Sequence, residues 1–141
     1  MESWAVYALL GSLFAGLTGI FGKVGVKDVN SNLATTVRAV IMAVGLMIFI
    51  LARHETAGLD KIKSQTWLFI ALSGAAGAAS WVCMFRALQL GEASRVAPID
   101  KSSVLITVIF AILFLGEKLT WDKALGAFLV AGGTILIALA K

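Results

Sequence analysis

The segment VAPIDKSSVLITVIFAILFLGEKLTW, from Val96 to Trp121, has the apolar density of a membrane span but carries an adjacent acid and base, Asp100 and Lys101. About 20 mainly apolar residues are enough for a helix to cross a hydrocarbon core roughly 30 Å thick. Charged side chains inside such a helix are costly and indicate a functional site by default. The segment therefore predicts a membrane helix with a polar site near one end.

The rest of the chain has the same character. Of its 141 residues, 60% are hydrophobic and 14% are charged, whereas a soluble domain carries about 25% charged residues. Five stretches are long and apolar enough to span a bilayer, at residues 4–22, 33–51, 67–90, 96–115 and 121–140. We predict an all-α integral membrane protein whose five transmembrane helices form one domain over residues 1–141.

Other classes fit the sequence less well. A membrane β-barrel alternates polarity in segments of about ten residues, and these apolar runs are continuous. A signal peptide begins with a basic region, but the first span follows the acidic Met1-Glu2. The net charge of +4 is scattered at span ends and forms no basic stripe, which argues against nucleic acid as a partner. The lipid bilayer is the expected environment.

Catalytic motifs are also missing from the sequence. The single histidine, His54, lies in a loop beside Glu55, where a solvated pair is the ordinary interpretation. No metal-ligand spacing, nucleophile elbow or glycine-rich phosphate loop is found. We therefore predict a protein that is not an enzyme and that needs no cofactor and no metal.

Charged residues in several spans lie at one depth. At 1.5 Å per residue, Arg38, Arg86 and Asp100 are each roughly 7–10 Å inside the same membrane edge, and Lys23 ends the first span. Ser103 and Thr107 continue the face of Asp100 at the third and seventh positions after it. The predicted substrate site is one polar cavity with an aromatic floor, comprising Lys23, Arg38, Trp81, Arg86, Asp100, Lys101, Ser103 and Thr107.

Structural interpretations of the same residues stay open. Lys23 and Arg86 are long enough to snorkel to the interface. Asp100 is too short for that, so Arg38 or Arg86 is its expected partner, in a site or in a purely structural salt bridge. Lys101 points about 100° away from Asp100 on a helix, and it has no obvious partner. Pro98 removes a backbone donor and is expected to kink this span.

The charge balance of the predicted cavity favours an anion. Four cations stand against one acid, an excess of three positive charges that falls to one if Lys23 and Arg86 snorkel. Arginine binds carboxylate and phosphate in a bidentate manner. We therefore predict a substrate with at least one negative charge. The alternative is a cationic drug or metabolite exporter in which Asp100 is the coupling acid.

The sequence resembles one EamA unit of the drug/metabolite transporter superfamily over about residues 3–140. The resemblance is carried by the motifs FGK at 21–23, VRA at 37–39, ALQLGEASRVAP at 87–98 and LFLGEKLTWDKALGAFLVAGG at 113–133. It implies a secondary transporter of a small molecule in a bacterial or archaeal cell membrane. The resemblance implies family-like positions at Lys23, Arg38 and Pro98, whereas Asp100 and Lys101 depart from the apolar or small residues that are usual there.

Most members of that superfamily carry two such units as an inverted repeat. This chain carries one, so the resemblance implies that a second copy inserted in the opposite orientation completes an antiparallel homodimer. Gly126 and Gly133 lie on one face of the last span and are the expected seam. The loops on the two sides of the membrane carry nearly equal numbers of lysines and arginines. One side has five (Arg53, Lys61, Lys63, Lys118 and Lys123), and the other has four (Lys23, Lys27, Arg95 and Lys141), or five with Arg86. This balance favours neither orientation. A parallel dimer, a different partner chain and a non-transporting assembly subunit are the alternatives.

Overall fold

The computed structural model describes residues 3–58 and 62–140. The helices in these residues are α1 (Ser3–Gly25), α2 (Ser31–Ala52), α3 (Ser64–Leu90), α4 (Ala93–Lys101), α5 (Ser103–Leu115) and α6 (Trp121–Leu139). No strand occurs among the described residues. With α4 and α5 counted as one span, this part of the chain has five helices of 19–27 residues that are long and apolar enough to cross a membrane. The prediction of an all-α protein with five spans is confirmed.

The fourth span differs from the predicted helix over residues 96–115 with its expected kink at Pro98. It starts earlier, at Ala93, and the helix is interrupted at Ser102. The ring nitrogen of Pro98 carries no hydrogen, so it cannot donate to the carbonyl one turn before it. At the interruption, the amide and hydroxyl of Ser102 both donate to the Ile99 carbonyl, at 3.0 and 2.6 Å. Bonds to the third preceding residue tighten the chain locally, and the span continues as a broken helix.

The contacts within the chain define two compact units. The central unit is Gly22–Gln89, and the terminal unit comprises the described residues of Met1–Phe21 and Leu90–Lys141. Across the described residues, most large apolar side chains are exposed, and the buried apolar core contains Val26, Phe85 and Leu88. An apolar surface of this extent belongs in hydrocarbon and not in water, which agrees with a membrane-embedded chain.

The core of the central unit forms where the end of α1 meets the end of α3. Val26 and Leu88 are fully buried, and Phe85 is 3% exposed. A Cβ atom placed on Gly22 would lie 3.2 Å from the Leu88 Cδ1 atom and 3.4 Å from the Phe85 ring. Glycine fits this close approach, because with a larger residue the Leu88 and Phe85 side chains would have to move.

The terminal unit packs α4 and α5 against α6. The Thr134 hydroxyl of α6 donates to the Pro98 carbonyl of α4 at 3.2 Å, and the Arg95 guanidinium donates to the Ala140 carbonyl. These bonds hold the proline-containing half of the broken span. At the other end of that span, Gly116 has a φ of +67° and ends α5 in the left-handed conformation, which costs glycine little because it has no Cβ.

Candidate functional site

Arg38 is stacked on an aromatic pair in the central unit. Its Cζ atom lies 3.6 Å from the centroid of the Trp81 ring and 5.7 Å from that of Phe85. The two rings meet edge to face with their centroids 5.7 Å apart. A guanidinium over an indole face is attracted by the ring quadrupole, and stacking leaves the N–H groups in the guanidinium plane able to donate. Arg38 is therefore oriented without losing its charge.

Arg86 is held by a neutral side chain one turn further along α3. Its Nη1 atom donates to Gln89 Oε1 at 2.6 Å. The Gln89 Nε2 atom in turn donates to the carbonyls of Val29 at 3.0 Å and Val26 at 3.4 Å. Gln89 thus connects Arg86 to the loop between α1 and α2, and the loop carbonyls fix the direction of the glutamine.

Lys23 lies at the end of α1 and its ammonium donates to the Leu88 carbonyl at 2.6 Å. The last carbonyls of a helix have no partner within that helix, and a lysine that binds one of them is favoured by the helix dipole. The position of Lys23 therefore serves the end of α3, beside the buried core of the central unit.

Asp100 and Lys101 lie in the terminal unit, just before the break at Ser102. The Lys101 ammonium lies 3.4 Å from Asp100 Oδ2, so the acid and base that are adjacent in sequence form an ion pair. Our expectation that Lys101 lacks a partner is wrong, because its long side chain can fold back although the two Cα–Cβ directions diverge. The Thr107 hydroxyl donates to the Ser103 carbonyl of its own helix at 3.0 Å.

The predicted site residues thus fall into two groups. The structure brings Arg38 and Trp81 into contact in the central unit, which also contains Lys23 and Arg86, and Asp100 pairs with Lys101 in the terminal unit. A single cavity containing all eight residues stays a prediction.

Two contributors, Phe85 and Gln89, were not among the predicted site residues. A signal for both is their spacing from other members of α3: Phe85 follows Trp81 by four residues and Gln89 follows Arg86 by three. Such pairs are neighbours on a helix surface.

The predicted seam on the last span is open within the chain. Among the described residues, and apart from the backbone of α6 itself, a Cβ atom placed on Gly126 or on Gly133 would meet no heavy atom within 4 Å. Both positions therefore leave room for a close approach by another helix.

These features define a multi-pass integral membrane protein with oriented cations inside its helices. Comparison with known families shows to which class of membrane protein the chain belongs. The model of the EamA-like transporter family matches residues 2–139, nearly the whole chain. The chain belongs to the EamA-like transporter family.

Two relatives match over almost their full lengths. An uncharacterised transporter from the cobO 3′ region of a Sinorhizobium species is 46% identical over 137 residues, which are 97% of each chain. An uncharacterised protein of Methanocaldococcus jannaschii is 27% identical over 141 residues, the whole of both chains. No solved structure matches significantly. The family and the name of the first relative support a membrane transporter rather than an enzyme.

Proposed function

We propose that the protein is a secondary transporter of a small polar metabolite, anionic or zwitterionic, and that it works as an antiparallel homodimer. Arg38 and Arg86 bind the negative group of the substrate, and Trp81 orients Arg38. Among the other proposed site residues, Lys23 supports the end of α3 in the same unit. Asp100, Lys101, Ser103 and Thr107 are the proposed polar residues of the terminal unit.

The distribution of ion pairs carries the assignment of an anion. Asp100 is paired with Lys101, whereas the partners described for Arg38 are aromatic rings and the partner described for Arg86 is an amide. A charged side chain inside a membrane helix is costly, and the cost reaches about 2.5–3.5 kcal/mol at the helix centre on insertion scales. A bound carboxylate or phosphate would offset that cost, and arginine can hold either with two parallel hydrogen bonds.

The antiparallel pair is supported by symmetry and by the open face of α6. Five spans put the two ends of the chain on opposite sides of the membrane. A second copy can therefore act as the inverted half only if it is inserted upside down. Lysines and arginines are nearly balanced between the two faces; two of them, Lys61 and Lys141, lie outside the described residues. Gly126 and Gly133 would form the contact, where an added Cβ meets nothing.

Liposome uptake tests the transport proposal. The purified chain is first screened against anionic, zwitterionic and cationic metabolites for a rise in melting temperature, since a ligand of the folded state stabilises it. Uptake of the compounds that raise the melting temperature is then measured. We expect an anion or zwitterion to be transported. We expect Arg38→Gln to lose both the rise in melting temperature and the uptake. Arg53→Gln is the matched control, because Arg53 lies beyond the other end of α2 and pairs with Glu55 at 2.9 Å.

The outcomes separate the alternatives. Binding and uptake of quaternary ammonium compounds, with no response to any anion, would overturn the anion assignment and favour the alternative of a cationic drug or metabolite exporter. Failure of the chain alone to move any solute would favour a non-transporting assembly subunit.

Labelling of single cysteines tests the orientation. Lys27→Cys and Lys118→Cys, each in a Cys83→Ala background, place a thiol in the loop after α1 and in the loop before α6. An antiparallel pair predicts that each thiol is labelled from both sides of the membrane. Labelling of each thiol from a single side would reject it and leave the parallel dimer or a different partner chain.

A further inference from the structure

A wide-open cavity of about 610 Å³, lined by both polar and apolar groups, lies in the central unit beside Arg86. Its walls come from two elements, the start of α2 and one face of α3. The lining residues are Asn30, Ser31, Asn32, Val82, Cys83 and Arg86. Of these, only Arg86 belongs to the substrate site predicted from the sequence.

Among the residues that the structure describes, the lining carries one cation and no carboxylate. One guanidinium nitrogen of Arg86 donates to Gln89 Oε1, a neutral acceptor that leaves the charge uncompensated. A guanidinium has five N–H donors in one plane. The donors not used by Gln89 are enough to bind both oxygens of a carboxylate or of a phosphate.

The opposite wall adds donors. Asn30 Oδ1 accepts the amides of Asn32 and Leu33, at 2.9 and 3.4 Å, and so caps α2. Because that oxygen is in use, the group that Asn30 can offer a ligand is its NH₂. Asn32 contributes a second amide group at the same wall. A cavity with a guanidinium on one side and amide donors on the other suits an acceptor-rich, negatively charged group.

Gln89 fixes the two walls of the cavity relative to each other. Its Nε2 atom donates to the Val26 and Val29 carbonyls, in the loop that leads directly into Asn30. Arg86 is therefore tied through one side chain to the backbone that carries the opposite wall. Such preorganisation lowers the ordering cost of binding.

We propose that this cavity is the subsite for the carboxylate or phosphate group of the transported solute. Arg86 is the charged ligand, Asn30 and Asn32 are neutral donors, and Gln89 is the positioning residue. The inference rests on the proposed transport function and deepens it by naming the cavity in which Arg86, one of the two proposed arginines, binds the anionic group.

Cys83 provides the readout, because it lines the cavity, is exposed, and is the single cysteine in the sequence. The full chain is purified in detergent, and the rate of Cys83 alkylation by N-ethylmaleimide is measured with increasing sodium phosphate or sodium acetate. Sodium chloride keeps the ionic strength constant, and tetramethylammonium chloride is the cationic control. We expect phosphate or acetate, and not tetramethylammonium, to slow alkylation in a saturable manner.

Variants assign the effect to Arg86. Arg86→Gln should raise the anion concentration for half-protection about tenfold or more, because hydrogen bonds to a charged group are among the stronger ones. Half-protection is measured relative to the variant's own alkylation rate without anion, because a nearby cation affects the reactivity of a thiolate, and a melting temperature near that of the wild type shows an intact fold. Arg53→Gln, an arginine change in the same unit outside the cavity, should leave half-protection unchanged. If Arg86→Gln does not fold, Arg86→Lys and Asn32→Ala replace it, and each should weaken protection.

The contrary results are distinct for the two proposals. If no anion slows alkylation although liposomes take up an anionic solute, the subsite is wrong and transport stands. Equal protection in the wild type and in the Arg86 and Asn32 variants also overturns the subsite. If phosphate protects Cys83 through Arg86 but the chain moves no solute, the anion site stands and the transport proposal fails.

Discussion

The central and terminal units both carry cations within membrane helices, but the partners of those cations differ. In the terminal unit, Lys101 pairs with Asp100 at 3.4 Å and Arg95 with Glu92 at 3.5 Å. In the central unit, Arg38 rests on aromatic rings and Arg86 bonds to an amide. A cation paired with an acid is neutralised inside the chain, whereas one held by neutral groups keeps its charge for a ligand. This difference is the reason why we propose anion binding for the central unit and proton coupling for the acid of the terminal unit.

The largest effect is expected from the acid of the terminal unit. If transport is driven by protons, Asp100→Asn should abolish uptake driven by a pH gradient. The reason is depth, because in the sequence Asp100 is the one acid that lies far enough inside a predicted span to carry a proton. Uptake is measured in liposomes with an imposed gradient. Asp122→Asn changes an exposed acid in the first turn of α6 and should leave the response intact. Unchanged pH-driven uptake in Asp100→Asn would remove this residue from coupling.

A second prediction concerns the packing of the central unit. Gly22→Leu should destabilise the protein by about 1–3 kcal/mol, the usual cost of overpacking, because a Cβ there already approaches Leu88 at 3.2 Å. Gly25→Leu lies in the same helix, where an added Cβ meets nothing within 4 Å. The melting temperature of the second variant should stay near that of the wild type. Equal losses in both would show that α1 and α3 do not meet at Gly22.

The stacking of Arg38 predicts a coupling energy of about 0.5–2 kcal/mol, the range for cation–π contacts. A double-mutant cycle with Arg38→Leu and Trp81→Leu isolates this term, with stability followed by thermal unfolding in detergent. Trp81→Phe keeps an aromatic face and should retain much of the coupling. Additive losses in the cycle would mean that the ring does not orient the guanidinium.

The smallest expected effect concerns the broken span of the terminal unit. Thr134→Val removes the hydroxyl that donates to the Pro98 carbonyl of another helix, and should cost about 0.5–1.5 kcal/mol, as for a typical hydrogen bond. Thr107→Val removes a hydroxyl that bonds within its own helix and should cost less. A larger loss for Thr107→Val would indicate that the Thr134 bond does not hold α4 against α6.

Much of the fold follows from the sequence. The number of spans depends on the apolar content of successive stretches, a local quantity, and the five helices appear where that content predicts them. The end of α5 at Gly116 is equally local, because a positive φ favours glycine. The break at Ser102 is only partly local. Pro98 predicts a disturbance, but the position of the break four residues later depends on bonds to Ile99 that the sequence pattern does not specify.

The sequence by itself determined that this chain is an all-helical membrane protein and that its spans carry charge. Tertiary structure decided the partners that lie on another helix: Trp81 and Phe85 for Arg38, and Leu88 for Lys23. Gln89 for Arg86 and Asp100 for Lys101 are partners within the same helix that depend on side-chain conformation. The physical reason is that span length and depth add up residue by residue along the chain. The partner of a side chain depends instead on the rotation and close approach of helices, and on the conformation of long flexible side chains. These features cannot be obtained by adding up the properties of single residues.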